Sequence, residues 1–123
     1  MERVMPTRSF EAYVRHQPPF AIMDLHGEMN ALAEDALIAA YARAESRASS
    51  IILLNFQHVE YINSTGIALL LSLFARARGS HRLLVCGLNE HYVEIFRILR
   101  LNNLMDVFSD EASALASVYQ SAS

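Results

Sequence analysis

The sequence predicts a small α/β domain: a mixed β-sheet of four to five strands with about four α-helices, the later strands parallel. Short apolar runs alternate along the chain with amphipathic segments. Two of these runs, residues 51–54 and 83–86, are continuously apolar, which is typical of parallel strands buried on both faces. The length of 123 residues suits one domain. A single domain over residues 1–123 is therefore expected, with residues 1–9 flexible.

The N-terminal half is expected to form two strands, a helix and a third strand. Residues 10–14 and 20–26 are candidate strands, separated by a proline pair that breaks regular structure. Asn30 is a good N-cap, so a helix is predicted from there to about Arg47, with core positions at Leu37, Ala40, Tyr41 and Ala44. The run at 51–54 is the third strand, and a turn region is predicted after it.

The C-terminal half is expected to continue the alternation. The predicted order is helix, strand, helix, short edge strand and helix, at residues 63–78, 82–87, 90–99, 105–108 and 110–119. Asn89 and Ser109 are predicted to cap the last two helices. On the helix over 90–99, Val93, Phe96 and Leu99 are predicted to share one side.

The composition excludes several classes of function. A content of 53% apolar and 19% charged residues rules out intrinsic disorder, and a net charge of −3 gives no nucleic-acid footprint. All ten basic residues are Arg, which excludes a P-loop lysine and a Schiff-base lysine. Cys86 is the one cysteine, and the five histidines lack metal-ligand spacing. Neither a metal nor a cofactor is predicted.

The cytoplasm is the expected location. Residues 1–6 contain no apolar region of the kind that a secretory signal needs. The longest apolar stretch, residues 66–75, is too short to span a bilayer.

The most informative motif is Asn63-Ser64-Thr65-Gly66, which places two adjacent hydroxyls at the start of a helix. Free backbone N–H groups and the positive end of the helix dipole meet there. A phosphoryl group on Ser64 would be stabilised by those donors and would add about −1.5 to −2 units of charge. The alternative interpretation is that Ser64 or Thr65 only caps the helix.

The helix after this motif is predicted to leave an apolar strip exposed. On a 3.6-residue wheel the core-facing positions are Ile67, Leu70, Leu71 and Phe74. Leu69, Leu73 and Arg76 fall on the opposite side, which suggests a docking surface. Two alternatives stay open: another element of the chain covers the strip, or a second copy of the chain does. A homodimer through this strip or through a sheet edge is therefore a further expectation.

Residues 51–73 resemble the STAS domain of anti-sigma-factor antagonists. That family has a buried strand, a short turn, and Asp-Ser-Ser/Thr-Gly at the start of a Leu-rich helix. Residues 27–30, 83–88 and 98–109 are similar to other parts of the same pattern, so the resemblance covers nearly the whole chain. It implies a STAS-type fold.

The resemblance also implies a function. In the family, an ATP-dependent kinase of the histidine-kinase-like type, which is also the anti-sigma factor, phosphorylates the first hydroxyl of the motif. The unphosphorylated antagonist binds this kinase and frees the sigma factor. Carried over, Ser64 is the phosphoacceptor and Thr65 the second choice. The predicted partner-binding residues are Asn63, Ser64, Thr65, Gly66, Leu69, Leu73 and Arg76.

The chain departs from the family pattern at two positions. Asn63 replaces the motif Asp, and Asn55 stands where many members carry Asp. Asn keeps the capping ability but cannot ionise. These replacements motivate an alternative function, a non-switching STAS scaffold or accessory subunit of a stressosome-like or lipid-transporter-associated complex.

An enzyme is not predicted. Ser64 and Gly66 resemble half of a nucleophile elbow, with His58 and His81 as conceivable bases. The leading Gly of that motif is missing, and hydrolase domains of this type are usually larger than this chain. Both histidines are better interpreted as loop or surface residues.

Overall fold

The computed structural model describes residues 9–45 and 49–121, which form one five-stranded sheet in the order β1-β2-β3-β4-β5. The strands are Glu11–Gln17 (β1), Phe20–Met29 (β2), Ile51–Ile62 (β3), Arg82–Cys86 (β4) and Asp106–Phe108 (β5). β1 is antiparallel to β2, and the other three pairs are parallel. The predicted mixed sheet with parallel later strands is confirmed. Residues 1–8, where flexibility was expected, lie outside the described residues.

Four helices cover the two faces of the sheet. They are Glu34–Ala44 (α1), Ser64–Ala77 (α2), Glu90–Ile98 (α3) and Glu111–Ser121 (α4). The first three pack on one face and α4 on the other, because alternate strand residues point to opposite sides. None of the helices within the described ranges has the length and hydropathy that a membrane span requires.

The start and end of α1 differ from the prediction. The Asn30 side chain accepts a hydrogen bond from the backbone N–H of Leu32, but it caps a 3-10 turn over Ala31–Ala33. The α-helix itself begins at Glu34 and ends at Ala44, and residues 46–48 lie outside the described part of the chain. The predicted core side chains of α1 are confirmed, since all four are fully buried.

β3 is longer than the sequence predicted. The prediction of a turn after residue 54 is wrong, because the strand continues to Ile62 and pairs with β2 up to Met29. Exposed polar residues such as Gln57 hide this extension, since they break the apolar run. β4 stops opposite Asn55. β2 and β3 therefore project beyond β4 towards the start of α2.

Two further details of the helices correct the sequence analysis. α3 buries Tyr92 and Phe96, whereas Val93 and Leu99 are 44% and 52% exposed. α4 is capped by Asp110 rather than by Ser109, because the Asp110 carboxylate accepts from the backbone N–H of Ser113 at 2.8 Å.

Cys86 lies in the core beneath α4. Its side chain is fully buried, and burial raises the pKa of the thiol to about 12, with smaller contributions from Glu111, Asp110 and Asp24. A thiol that stays protonated and inaccessible is unreactive. Cys86 is therefore an inert thiol of the core.

Candidate functional site

The turn from β3 into α2 is anchored to the end of β2. Asn63 has extended backbone angles, and its side-chain oxygen accepts from the N–H of Gly66 at 2.9 Å. Its own N–H donates to the carbonyl of Met29 at 3.2 Å. These two bonds fix the point at which α2 begins.

Gly66 brings the first turn of α2 into contact with β2. A Cβ atom at this position would lie 2.3 Å from the Met29 carbonyl oxygen and 2.9 Å from Cγ2 of Ile62. The first of these neighbours is backbone, so it cannot move aside cheaply. The motif glycine is therefore required by close packing.

Ser64 and Thr65 are the first two residues of α2, and both are exposed. Asn63 satisfies the N–H of Gly66, whereas the N–H groups of Ser64 and Thr65 find no acceptor within the described residues. Two free donors at the positive end of a 14-residue helix favour an anionic group. An anionic group at this position would accept hydrogen bonds from donors that the helix itself leaves free.

A cleft of about 410 Å³ opens beside Ser64, between α2 and α3. Its lining residues are Tyr61, Ile62, Asn63, Ser64, Ile67, His91, Tyr92, Ile95 and Leu99. Tyr92 ties α3 to the end of β3, because its hydroxyl accepts from the N–H of Ile62 at 3.0 Å. The side chain of Asn89 caps α3 by accepting from the N–H of Tyr92 at 3.0 Å. We call this feature the Ser64 cleft.

The family profile of the STAS domain matches residues 11–114, which is most of the sequence. The chain belongs to the STAS domain family. The resemblance seen in the Asn63–Gly66 motif is therefore confirmed. No curated protein is significantly similar to this STAS domain.

Solved structures with the same fold include an anti-sigma factor antagonist from Mycobacterium paratuberculosis and two forms of SpoIIAA. One, from Mycobacterium paratuberculosis, superposes with a TM-score of 0.79 at 15% identity, over 90% of this chain and 95% of the other. Unphosphorylated SpoIIAA superposes with a TM-score of 0.65 at 15% identity, over 90% of this chain and 97% of the other. The phosphorylated form of SpoIIAA, described as a Bacillus cell fate determinant, gives 0.65 at 20% identity, over 89% and 98%. At these identities the likeness shows the fold.

The prediction of an exposed docking strip on α2 is wrong, because α2 of this STAS domain turns a different face to the sheet. Leu69 and Leu73 are only 9% and 3% exposed, whereas Leu71, which was expected to face the core, is 40% exposed. The contact between Gly66 and β2 sets the rotation of the helix and places every third or fourth residue after it inward. The strip on which a partner or second copy was expected to dock is covered by the chain itself.

Arg76 belongs to a structural ion pair far from Ser64. Its guanidinium contacts both carboxylate oxygens of Glu45, at 2.6 and 3.1 Å, and lies 5.2 Å from the ring centre of Tyr41. The hydrogen bond with Glu45 raises the pKa of Arg76. Arg76 lies twelve positions after Ser64 on α2, which is a rise of about 18 Å along the helix. The predicted role of Arg76 in partner binding at the motif has no geometric support.

The two histidines considered as catalytic bases lie away from Ser64. His58 stacks on His26 on the sheet face that carries α4, with 4.8 Å between ring centres. His81 follows the C-terminal end of α2, and its ring contacts the hydroxyl of Ser80. Neither can act on a hydroxyl at the N-terminal end of α2. Within the described residues, no group of three or more His, Cys, Asp or Glu side chains could hold a metal ion.

Asn55 is part of a polar network under α4, not of the motif site. Its amide NH₂ donates to Glu111 at 3.3 Å, and its oxygen accepts from the N–H of Gln57 at 2.9 Å. Arg15 bridges Asp24 and Glu111, with a closest distance of 2.6 Å to each. A neutral amide suits this position, because two carboxylates already share one guanidinium.

Sequence reasoning missed the α3 wall of the Ser64 cleft. His91, Ile95 and Leu99 follow one another at a spacing of four, which puts them on one stripe of α3. That spacing was the available signal. This signal was overlooked because an apolar stripe on a helix is usually interpreted as the face that packs into the core.

Proposed function

We propose that this STAS domain is an anti-sigma-factor antagonist-like binding module of the cytoplasm, switched off by phosphorylation of Ser64. Its partner would be an anti-sigma factor that is also a serine kinase of the histidine-kinase-like ATPase type. The observation that carries the proposal is the exposed Ser64 hydroxyl, which sits beside two free N–H groups at the rim of an apolar cleft. The three solved relatives, described as anti-sigma factor antagonists or as SpoIIAA with and without phosphate, support it.

The geometry supports a switch that would act on the surface and spare the fold. A phosphoryl group on Ser64 would accept hydrogen bonds from the N–H groups already present at the helix start. It would bring about −1.5 to −2 charges to the rim of a cleft that has no Asp or Glu among its described lining residues. A partner seated in the cleft when the hydroxyl is free would then face a buried anion, which opposes binding.

The proposal is tested by incubating the purified chain with ATP and, one by one, the histidine-kinase-like serine kinases of its own organism. We expect the intact mass to rise by one phosphoryl group with one of these kinases. Ser64→Ala should abolish the increase. Thr65→Ala is the matched control, because it removes the neighbouring hydroxyl and should leave the increase intact. Incorporation that persists in Ser64→Ala would reject Ser64 as the acceptor.

A non-switching scaffold is the second candidate, and Asn63 is the observation that favours it. Asn63 serves as a cap through its amide oxygen and supplies no carboxylate to the motif. Binding of the partner to Ser64→Asp and to Ser64→Ala distinguishes the two functions. A switch predicts that Ser64→Asp alone loses binding, whereas a scaffold predicts that both variants bind as the parent chain does.

A further inference from the structure

His91, in the first turn of α3, is the one side chain among the described lining residues of the Ser64 cleft that can carry a positive charge. The side chain is exposed, and its ring packs edge-to-face against that of Tyr92, with 4.8 Å between ring centres. Tyr92 is buried and bound to the N–H of Ile62, two residues before Ser64. The imidazole is therefore held against a ring that is itself anchored close to the start of α2.

The topology of the sheet explains why Ser64 and His91 share a cleft. β3 and β4 are parallel neighbours, so the helices that follow them, α2 and α3, begin at the same edge of the sheet. Both helices also pack on the same face. Their first turns, with Ser64 on one helix and His91 on the other, lie on the two sides of the cleft. The sheet therefore presents an imidazole to the side of the cleft that faces the motif hydroxyl.

No acidic side chain among the described lining residues competes for the imidazole. The titratable side chains that share the lining with it are those of Tyr61 on β3 and Tyr92 on α3, and α2 contributes no charged residue. α3 carries Glu90 and Glu94, but neither lines the cleft, and Glu94 is paired with Arg97. A phosphoryl group on α2 would therefore be the strongest negative charge that the imidazole meets in the cleft.

We infer that the imidazolium of His91 pairs with the phosphoryl group on Ser64, so that the modification spans the cleft from α2 to α3. This inference rests on the proposed function, because it concerns the state after Ser64 is phosphorylated. An imidazolium and a phosphate form a charge-assisted hydrogen bond, and each stabilises the ionised form of the other. A phosphoryl group held in this way occupies the space that a partner needs, whereas one turned to solvent leaves the apolar lining open.

The test uses a chain synthesised with phosphoserine in place of Ser64, so it does not depend on any kinase. Phosphorus NMR follows the ionisation of the phosphate as the pH is raised. The titration midpoint of the phosphate should lie about 0.3 pH units or more lower in the parent chain than in His91→Gln, because the imidazolium favours the dianion. The difference should shrink at high salt. His81→Gln is the matched control, since it removes a histidine at the far end of α2 and should leave the midpoint as in the parent chain.

Equal phosphate midpoints in the parent chain and in His91→Gln would overturn the inference, provided that thermal unfolding shows both to be folded. A second measurement uses the kinase that modifies Ser64 and compares the dissociation constants of the phosphorylated and unmodified chains. Their ratio should fall about threefold or more in His91→Gln, because its phosphoryl group is free to turn away from the cleft. A ratio equal to that of the parent chain would also overturn the inference. If no kinase phosphorylates Ser64, the proposed function fails, while the NMR titration still decides whether His91 pairs with the phosphate.

Discussion

Gly66 illustrates how one residue decides the geometry of the site. Its backbone is helical, so glycine is needed here because it has no side chain, and this allows the Met29 carbonyl oxygen to come close. Gly79 is the opposite case, with a φ of 83° and nothing within 4 Å of where a Cβ would be. The two glycines are needed for different physical reasons, packing and backbone conformation.

Alanine at these two glycines should therefore have unequal effects. Gly66→Ala forces a Cβ against backbone and is expected to reduce the free energy of unfolding by about 3 kcal/mol or more. Gly79→Ala meets only backbone strain and should cost about 1 kcal/mol. Urea denaturation of both variants measures the difference. Equal losses would mean that Gly66 does not pack as described.

Asn63 should be replaceable wherever its capping bond is kept. Asn63→Ala removes the acceptor for the Gly66 N–H and is expected to lower the free energy of unfolding by about 1 kcal/mol. Asn63→Asp retains a capping oxygen and matches the family motif, so its stability should stay close to that of the parent chain. Chemical denaturation compares the three proteins. An Ala variant as stable as the parent would show that the cap contributes nothing.

At the scale of the element, the orientation of α2 is the correction with the largest consequence. The burial of Leu69 and Leu73 moves the exposed apolar surface to Leu71 and to the Ser64 cleft. The surface on which we propose that a partner docks is thereby shifted from α2 alone to the cleft between α2 and α3.

Two leucine truncations test this orientation. Leu73→Ala opens a cavity in the core and is expected to cost about 2–5 kcal/mol of the free energy of unfolding. Leu71→Ala removes a half-exposed side chain and should cost less than about 1 kcal/mol. If the order of the two losses were reversed, α2 would face the sheet as the sequence had predicted.

The start of α4 should make part of the stability dependent on pH. The hydrogen bond from the Ser113 N–H lowers the pKa of Asp110 below its ordinary value of 3.8. A carboxyl group whose pKa is depressed by folding contributes stability above its unfolded pKa, and that stability is lost as the pH falls through the folded pKa.

We expect the parent chain to lose stability below about pH 4 more steeply than Asp110→Asn, because Asn caps the helix without titrating. Denaturation curves from neutral pH to about pH 3 measure both slopes. Asp110 is exposed, so its share of the total pH dependence is small. The informative quantity is therefore the difference in pH slope between the parent chain and Asp110→Asn. Identical curves would contradict the assignment of Asp110 as a charged cap.

At the scale of the whole molecule, the sequence predicted the fold best where an apolar run is clearly distinct in hydropathy from the residues around it. Residues 51–54 and 83–86 were recognised as parallel strands because they are buried on both faces. The extension of β3 was missed because its outer half is polar on one face. The rotation of α2 was missed because leucines at 69, 70, 71 and 73 leave almost no polar face, and a polar face would have indicated which side of the helix points away from the sheet.

The candidate site was predicted only where it is local in sequence. Asn63 to Gly66 form one turn, so capping and helix polarity were sufficient to locate Ser64. The other wall of the cleft comes from α3, more than twenty residues later, and it depends on a tertiary bond between Tyr92 and Ile62. No local pattern encodes such a contact.

The most direct test of the central claim compares the chain before and after phosphorylation of Ser64. Titration calorimetry gives the affinity of each form for the kinase, and thermal unfolding of each form shows whether the fold is kept. We expect the phosphorylated chain to bind about a hundredfold more weakly or worse, with an unfolding midpoint close to that of the unmodified chain. Equal affinities for the two forms would contradict the claim that Ser64 governs partner binding.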